Sequence, residues 1–530
     1  MPDAPAQQGG SGQPDPHRWR ALAVCLAAGF MTLLDVSIVN VALPSIQGSL
    51  GAGPSQVQWI VAGYALAFGL VLVPAGRFGD LFSRRTVFLV GLVAFTVTSA
   101  GAGLVQSATA LAVVRLVQGI AAGILNPQVI GLLQELFQGP ERGKAFGLFG
   151  TTVGVSTAVG PLLGGLLIQV FGTDAGWRAV FLVNVPIGLV LLPFAVRLLP
   201  RAERVRGRKL TLDLVGLALL AVGVVFLMLP FVLTTGQDDE PLRWLSLVPG
   251  VALLVGFVLW ERAYERRGRE PVVPSALVRT RSFTGGALVG IAFFAGFTGI
   301  FLVVTLYLQS GLGFTALQAG LVQTPFALAS AACSGLGGRF VNRFGRQTVV
   351  VGLVVMSVGL VAADLVSASV QEVPGAIALS ACLMVAGAGT GLVISPNQTL
   401  TLAEVPTEVG GVAGGVLQTG QRVGSAMGVA LVSAIFFSGI ASAAGGGRPD
   451  SGGGRPPEAV QALFGDALSM GLRVSLGLVL LALVLALLDL RRRKHSADPD
   501  AGAPHAAAGG RHATTPAQRG PRHRRGAPTG

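Results

Sequence analysis

Charge is scarce in this chain. Only 12% of its residues are Asp, Glu, Lys or Arg, too few to solvate the surface of a 530-residue soluble protein, while 52% are hydrophobic. Histidine is scarcer still. The five histidines, His17, His495, His505, His512 and His523, all fall outside the apolar stretches, which argues against a membrane-embedded enzyme that would gather His or acidic groups at a lipid face. The three cysteines, Cys25, Cys333 and Cys382, lie inside apolar stretches, so no disulfide framework is indicated. No Gly-rich loop ending in Lys-Ser/Thr is present, which argues against an ATP-driven pump, and no cofactor or metal is expected. The formal charge of +13 would suggest a nucleic-acid partner in a soluble domain. Here the basic residues gather in short connectors between greasy segments, and no nucleic-acid partner is expected.

What the chain has instead is a recurrent apolar run. Stretches of about 20 residues, enough to cross ~30 Å of hydrocarbon, recur fourteen times, beginning with Trp19 to Leu43 and including 144–168, 178–198 and 467–490. The first is too long for the core of a signal peptide and reads as a retained helix. An even count puts both termini on one side. Of the 38 Lys and Arg residues, 31 then fall on the side of the termini and only Arg178, Arg243, Arg448 and Arg455 on the other. Retention of positive loops makes the first side cytoplasmic, with Gln398 to Gly410 an exception that carries only Glu404 and Glu408. The fold class is therefore an all-α integral membrane protein of the cell membrane. The Pro- and Gly-rich segment 1–17 and the basic segment 491–530 read as disordered cytoplasmic tails.

A few charges sit where lipid should be. Arg115, within Leu111 to Gly123, shares one helical face with Gln118, Gly119, Ala122 and Asn126. A guanidinium there costs at least ~3 kcal/mol and turns toward a bundle interior, a carboxylate or water. Asp35 lies nine residues before Pro44, hence about 13 Å below the outer end of a helix that stops there. Arg115 enters from the same side, so the two reach similar depth. Two readings follow: Asp35 exchanges a proton or a cationic substrate under the influence of Arg115, or the two are a fixed structural pair or separate solvated groups. Arg422 sits about thirteen residues into its helix and shares a face with Gln418 and Ser425, which suits a central cavity. Gln118, Asn126, Gln418, Arg422 and Phe297 are the candidate cavity residues. Phe297 belongs to a Phe293, Phe297, Phe301 stripe that suits either aromatic ligands or packing. Asp364, near a helix end, reads as solvated.

The halves echo one another. Gly76-Arg77-Phe78-Gly79-Asp80-Leu81-Phe82-Ser83-Arg84 aligns without gaps on Gly338-Arg339-Phe340-Val341-Asn342-Arg343-Phe344-Gly345-Arg346, and Gly119, Gly123, Gly147, Thr151 and Gly160 fall on Gly387, Gly391, Gly415, Thr419 and Gly428. Six helices per half with two between them make fourteen: segments 18–209 and 263–490 are the expected six-helix bundles, and 210–262 the inserted pair.

Gly76-Arg77-Phe78-Gly79-Asp80 with Arg84-Arg85, Arg115-Leu116-Val117-Gln118-Gly119, and Gly160-Pro161-Leu162-Leu163-Gly164-Gly165 resemble three signatures of the major facilitator superfamily. Leu34-Asp35 to Pro44 and Trp177-Arg178 to Pro186 are similar to its fourteen-helix drug:proton antiporter branch. The chain departs from the family pattern at Leu81, Ser83, Asn342 and Ser156. The resemblance implies proton-coupled export of an amphipathic drug or antibiotic by a monomer, with protons, substrate and bilayer as partners. It implies proton coupling at Asp35 and Arg115, and a gate at Gly76, Asp80, Arg84, Arg85, Gly338, Asn342, Arg343, Gly345 and Arg346. It also implies that Gly154, Gly160, Pro161, Gly164 and Gly165 limit leak. An importer or facilitator of a metabolite in the same fold remains the alternative, and a lipid-modifying enzyme a remote one.

Overall fold

The computed structural model describes residues 16–201, 213–233, 241–367, 373–443 and 457–496. The described chain is helical. Up to Leu198 it forms α1 (Arg18–Leu50), α2 (Pro54–Leu81), α3 (Arg84–Leu104), α4 (Ala108–Leu136), α5 (Gly139–Leu182) and α6 (Asn184–Leu198). Then come α7 (Leu214–Leu233), α8 (Leu247–Arg266) and the short α9 (Ser275–Arg279). The rest comprises α10 (Arg281–Leu306), α11 (Ala316–Phe344), α12 (Arg346–Ser367), α13 (Val373–Thr401), α14 (Gly410–Ala443) and α15 (Pro457–Ser496). Residues to Leu490 make one compact unit, and the segment from Arg491 is a second. The tails expected at 1–17 and 491–530 lie, apart from residues 16–17 and 491–496, outside the described residues.

Local chemistry explains several helix ends. The Ser83 and Ser107 hydroxyls accept from the Thr86 and Ala110 amides, and Thr315 forms a reciprocal cap with Gln318. The close of α1 is a left-handed glycine, Gly51 (φ 58°). That end corrects the sequence expectation: Pro44 lies inside α1, which runs six residues further. A membrane helix tolerates the one backbone bond a proline removes, because neighbours resatisfy the carbonyl.

Thirteen segments among the described residues are long and apolar enough to cross a membrane. One of them, Gly139–Leu198, holds 60 residues. At 1.5 Å per residue that is about 90 Å, three times the hydrocarbon thickness. The chain resolves this by reversing at Gly172, whose φ of 78° breaks the helix; beyond it Gly176 packs against the backbone of Ile168. The expected spans 144–168 and 178–198 fall on either side of that reversal. Apolar side chains such as Val90, Val93, Val97 and Leu104 on α3 and Val248, Val251, Val255 and Leu259 on α8 are exposed, an outer surface suited to lipid.

Packing follows a repeated scheme. In the first part α2 packs on α4 and α1 on α5; in the second α11 packs on α13 and α10 on α14. The parts meet where α5 lies against α11 and α14 against α2. Helices α7 and α8 pack on each other, and α7 also touches α2 and α14.

Candidate functional site

Asp35 and Arg115 come together. Both are buried, at 0% and 2% exposure, and Arg115 Nη1 donates to Asp35 Oδ2 at 2.5 Å. The other carboxylate oxygen accepts from Gln118 Nε2 (3.0 Å) and Asn184 Nδ2 (3.1 Å). Gln118 in turn accepts from Arg115 Nη1 (2.8 Å) and donates to Ser99 Oγ (2.7 Å), while Arg115 Nε reaches the Ile60 carbonyl (3.3 Å). The carboxylate therefore ties α1 to α4 and α6, and through Arg115 and Gln118 the network extends to α2 and α3. A buried charge is tolerated only when paired and hydrogen-bonded, and this one is both. Ser99 and Asn184 are members the sequence reading missed. Asn184 had a signal, as an amide standing alone at the start of an apolar run. Arg178 is spent elsewhere, on the carbonyls of Gly103 and Val105 and over the Trp177 ring.

Next to this network is a cavity of about 120 Å³ lined by Val36, Val39, Asn40, Val61, Tyr64, Ala65, Phe68, Arg115 and Arg422. Arg115 belongs to both: its guanidinium carbon lies 4.1 Å from the Tyr64 ring centroid. Arg422 reaches in from α14, 4.4 Å from the centroid of Phe68. The other candidate cavity residues are placed differently. Gln118 is held in the carboxylate network. Asn126 bonds Thr32 Oγ1 (3.1 Å), and its own carbonyl accepts from Gln418 (3.5 Å), linking α4 to α14. Phe297 borders a separate cleft of about 10 Å³ and stacks with Phe293 and Phe326.

At the end of the bundle that carries the basic connectors, Asp80 spans two elements. Its Oδ1 and Oδ2 accept from the backbone amides of Gly411 (2.9 Å) and Val412 (2.8 Å), in the free first turn of α14. Arg84 grips the same carboxylate (2.7 and 3.0 Å) and also reaches Glu135 and the carbonyls of Gly131 and Thr407. Gly76 makes this possible, since a Cβ there would run into the Gly411 carbonyl. Arg85 bonds the Val196 carbonyl.

The second connector repeats the plan without the charge. Gly338 lies against Gly143 and Gly147 of α5, and Asn342 Nδ2 donates to the Pro140 carbonyl (2.9 Å). Arg343 lies over Phe344, Gly345 (φ 53°) closes α11, and Arg346 pairs with Asp489 (2.6 Å) and Asn397 (2.7 Å). In α5, Gly154 fits against Ala327 and Ala331 of α11, and Gly160 and Gly164 fit against Ser37 and Ile38 of α1. Pro161 faces Gly320, and Gly165 has room to spare. One expectation is corrected. Asp364 is not simply solvated: it accepts from Ser469 and from Arg473 Nε (3.0 Å) across to α15.

A family profile described as Major Facilitator Superfamily matches residues 25–429. The chain is 36% identical over 454 residues to a probable actinorhodin transporter of Streptomyces coelicolor, covering 83% of this chain and 77% of that one. It is 34% identical over 488 residues to a puromycin resistance protein of Streptomyces alboniger, covering 92% and 94%. Among solved structures it superposes on the human organic anion transporter MFSD10 with a TM-score of 0.61 at 17% identity, over 89% of this chain and all of that one.

Proposed function

The chain belongs to the major facilitator superfamily, and from that premise we propose that it is a proton-coupled antiporter that exports amphipathic drugs or antibiotics across the cytoplasmic membrane. We read it as a member of the fourteen-helix branch: the reversal at Gly172 divides its long segment into two crossings, both termini are cytoplasmic, and α7 and α8 are inserted between two six-helix halves. It acts as a transporter and not as an enzyme.

One observation carries the reading. Arg115 is at once the ion-pair partner of Asp35 and part of the cavity wall. Protonating Asp35 removes that partner and leaves a guanidinium facing the cavity, so proton binding and ligand binding act on the same side chain. The proton and the ligand therefore act through one shared ion pair, which couples the occupancy of one to that of the other. Asp80 supplies the gate. With its carboxylate on the first turn of α14 the cytoplasmic end is shut, and opening requires those bonds to part.

The test uses everted membrane vesicles with an imposed proton gradient. Substrate addition should release protons from wild type, and Asp35→Asn should abolish both the release and the gradient-driven uptake. Full proton-driven uptake by Asp35→Asn would overturn the coupling role. A facilitator of a metabolite would instead move its substrate unchanged after the gradient is collapsed.

A further inference from the structure

Within the cavity the two arginines are not equivalent. Arg115 is neutralised by Asp35 at 2.5 Å. Arg422 has no carboxylate within salt-bridge distance and no hydrogen bond to protein among the described residues; its guanidinium rests on the Phe68 ring. Arg422 is half-buried, and a ring face offsets only part of the cost of holding a cation against the cavity wall. Beside it stands a second unspent group. Tyr64 lines the same cavity at 3% exposure, and its hydroxyl, a hydrogen-bond donor, has no partner among the described residues. Tyr64 and Phe68 are themselves stacked, with centroids 6.1 Å apart and planes at 30°, so the wall reads Arg115, Tyr64, Phe68, Arg422 in order.

We infer that this cavity selects aromatic anions: it receives the carboxylate or phenolate end of a planar aromatic substrate, with Arg422 as its counter-ion and Tyr64 as its hydrogen-bond donor. The inference rests on reading the cavity as the substrate path. The chemistry is specific. A guanidinium offers a paired set of N–H donors that matches a carboxylate, and the bond is charge-assisted on both sides. The net charge lining the cavity is one positive unit, since the Asp35–Arg115 pair cancels. A cationic ligand meets that unit as a repulsion, and a neutral one leaves Arg422 as it was. The volume of about 120 Å³ is of the order of a site that holds one aromatic ring, so in this conformation it takes the anionic ring and not the whole of a larger compound.

The experiment uses the purified full-length chain in detergent and three single-ring probes: benzoate, benzamide and benzyltrimethylammonium. Equilibrium dialysis should give the tightest Kd for the carboxylate, about tenfold below the amide, with the cation weakest. Arg422→Gln should bring carboxylate and amide to equal affinity, Arg422→Lys should keep most of the gap, and Tyr64→Phe should weaken the carboxylate about threefold. Retained monodispersity and thermal midpoint establish that each variant is folded, and the lysine variant rescues the charge without the fork. Equal affinities in wild type, a preference for the cation, a gap that survives Arg422→Gln, or no binding of any probe overturns the inference. Vesicle transport of the same probes separates this from the export reading. Carboxylate binding without gradient-driven movement removes export and leaves the cavity assignment. Gradient-driven movement of the cation, with binding indifferent to Arg422, does the reverse.

Discussion

Replacing Asp80 with Asn should loosen the contact between α2 and α14, and the bonds there set the size of the effect. In the closed arrangement the carboxylate accepts the Gly411 and Val412 amides and is held by Arg84. Asn keeps one acceptor oxygen and turns an NH₂ toward the second amide, so one N–H···O⁻ bond is lost, worth about 1.5 to 3 kcal/mol. The negative charge at the N-terminus of α14 is lost too, another ~0.5 to 1 kcal/mol. Arg84 stays bonded to Glu135 (3.0 Å), which limits the further loss. The total of about 3 kcal/mol shifts the closed-to-open ratio roughly a hundredfold, at 1.4 kcal/mol per decade. The ratio can be read with spin labels at Phe82 and Glu408, both exposed and on opposite sides of the α2–α14 contact, after removal of the three cysteines. Electron–electron distance measurement should give a short, narrow distribution for wild type and a predominantly longer one for Asp80→Asn. Identical distributions would refute the latch. The chain carries its own control. Asn342→Ala at the equivalent place forfeits one neutral hydrogen bond, about 1 kcal/mol, and should move the corresponding α5–α11 distance far less.

Other outcomes follow from named contacts. Asn184→Ala removes one of three hydrogen bonds from the buried Asp35 carboxylate and should lower gradient-driven transport about tenfold with the protein still folded, as initial-rate vesicle assays would register. Gly160→Val places bulk against Ser37 and Ile38 and should cost at least about 1 to 3 kcal/mol, seen as a lower thermal midpoint in detergent, while Gly165→Ala, whose nearest neighbour lies at 3.8 Å, should be silent. Arg346→Ala breaks a buried pair with Asp489 and should destabilise by about 3 kcal/mol, whereas Arg473→Ala, at a guanidinium 67% exposed, should cost under ~1 kcal/mol in the same assay.

How far the sequence was legible depends on what kind of contact is at issue. Apolar length speaks of the solvent around a segment, and it survives as thirteen long helical segments among the described residues, one with an internal reversal. The Asp35–Arg115 meeting was also legible, because two opposite charges in lipid leave few alternatives. Asp35 nonetheless lies deeper below the end of its helix than Pro44 suggests, since α1 continues through Pro44 to Leu50. Asn184 stood out as a lone amide, but its partner was not legible, and neither was that of Ser99. A single amide or hydroxyl in an apolar run has many possible partners, and which one it finds depends on how α3 and α6 rotate against α1. Gln118 was assigned to the cavity on its helical face alone, yet it turned to the carboxylate beside it, where its amide is more fully satisfied. Asp364 looked solvated for a similar reason: Arg473 lies over a hundred residues away, and no local pattern brings α15 to α12.

The two seams where α2 meets α14 and α5 meets α11 are made of backbone facing backbone. Gly76 sits on Gly411, Gly415 on Leu72 and Val73, Gly338 on Gly143 and Gly147, and Gly154 on Ala327 and Ala331. Interdigitated side chains would have to leave their rotamers for one surface to slide over the other, much as meshed gears must disengage. Glycine leaves no teeth. The seams thus resemble bearings, with few side chains between the backbones: one is fastened at the rim by a charged clasp, the other by a neutral one and by a Thr151 hydroxyl that donates to the Ala331 carbonyl midway along it. For the proposed exchange of openings, the timing of the stroke then passes from the packed surfaces to these few fastenings.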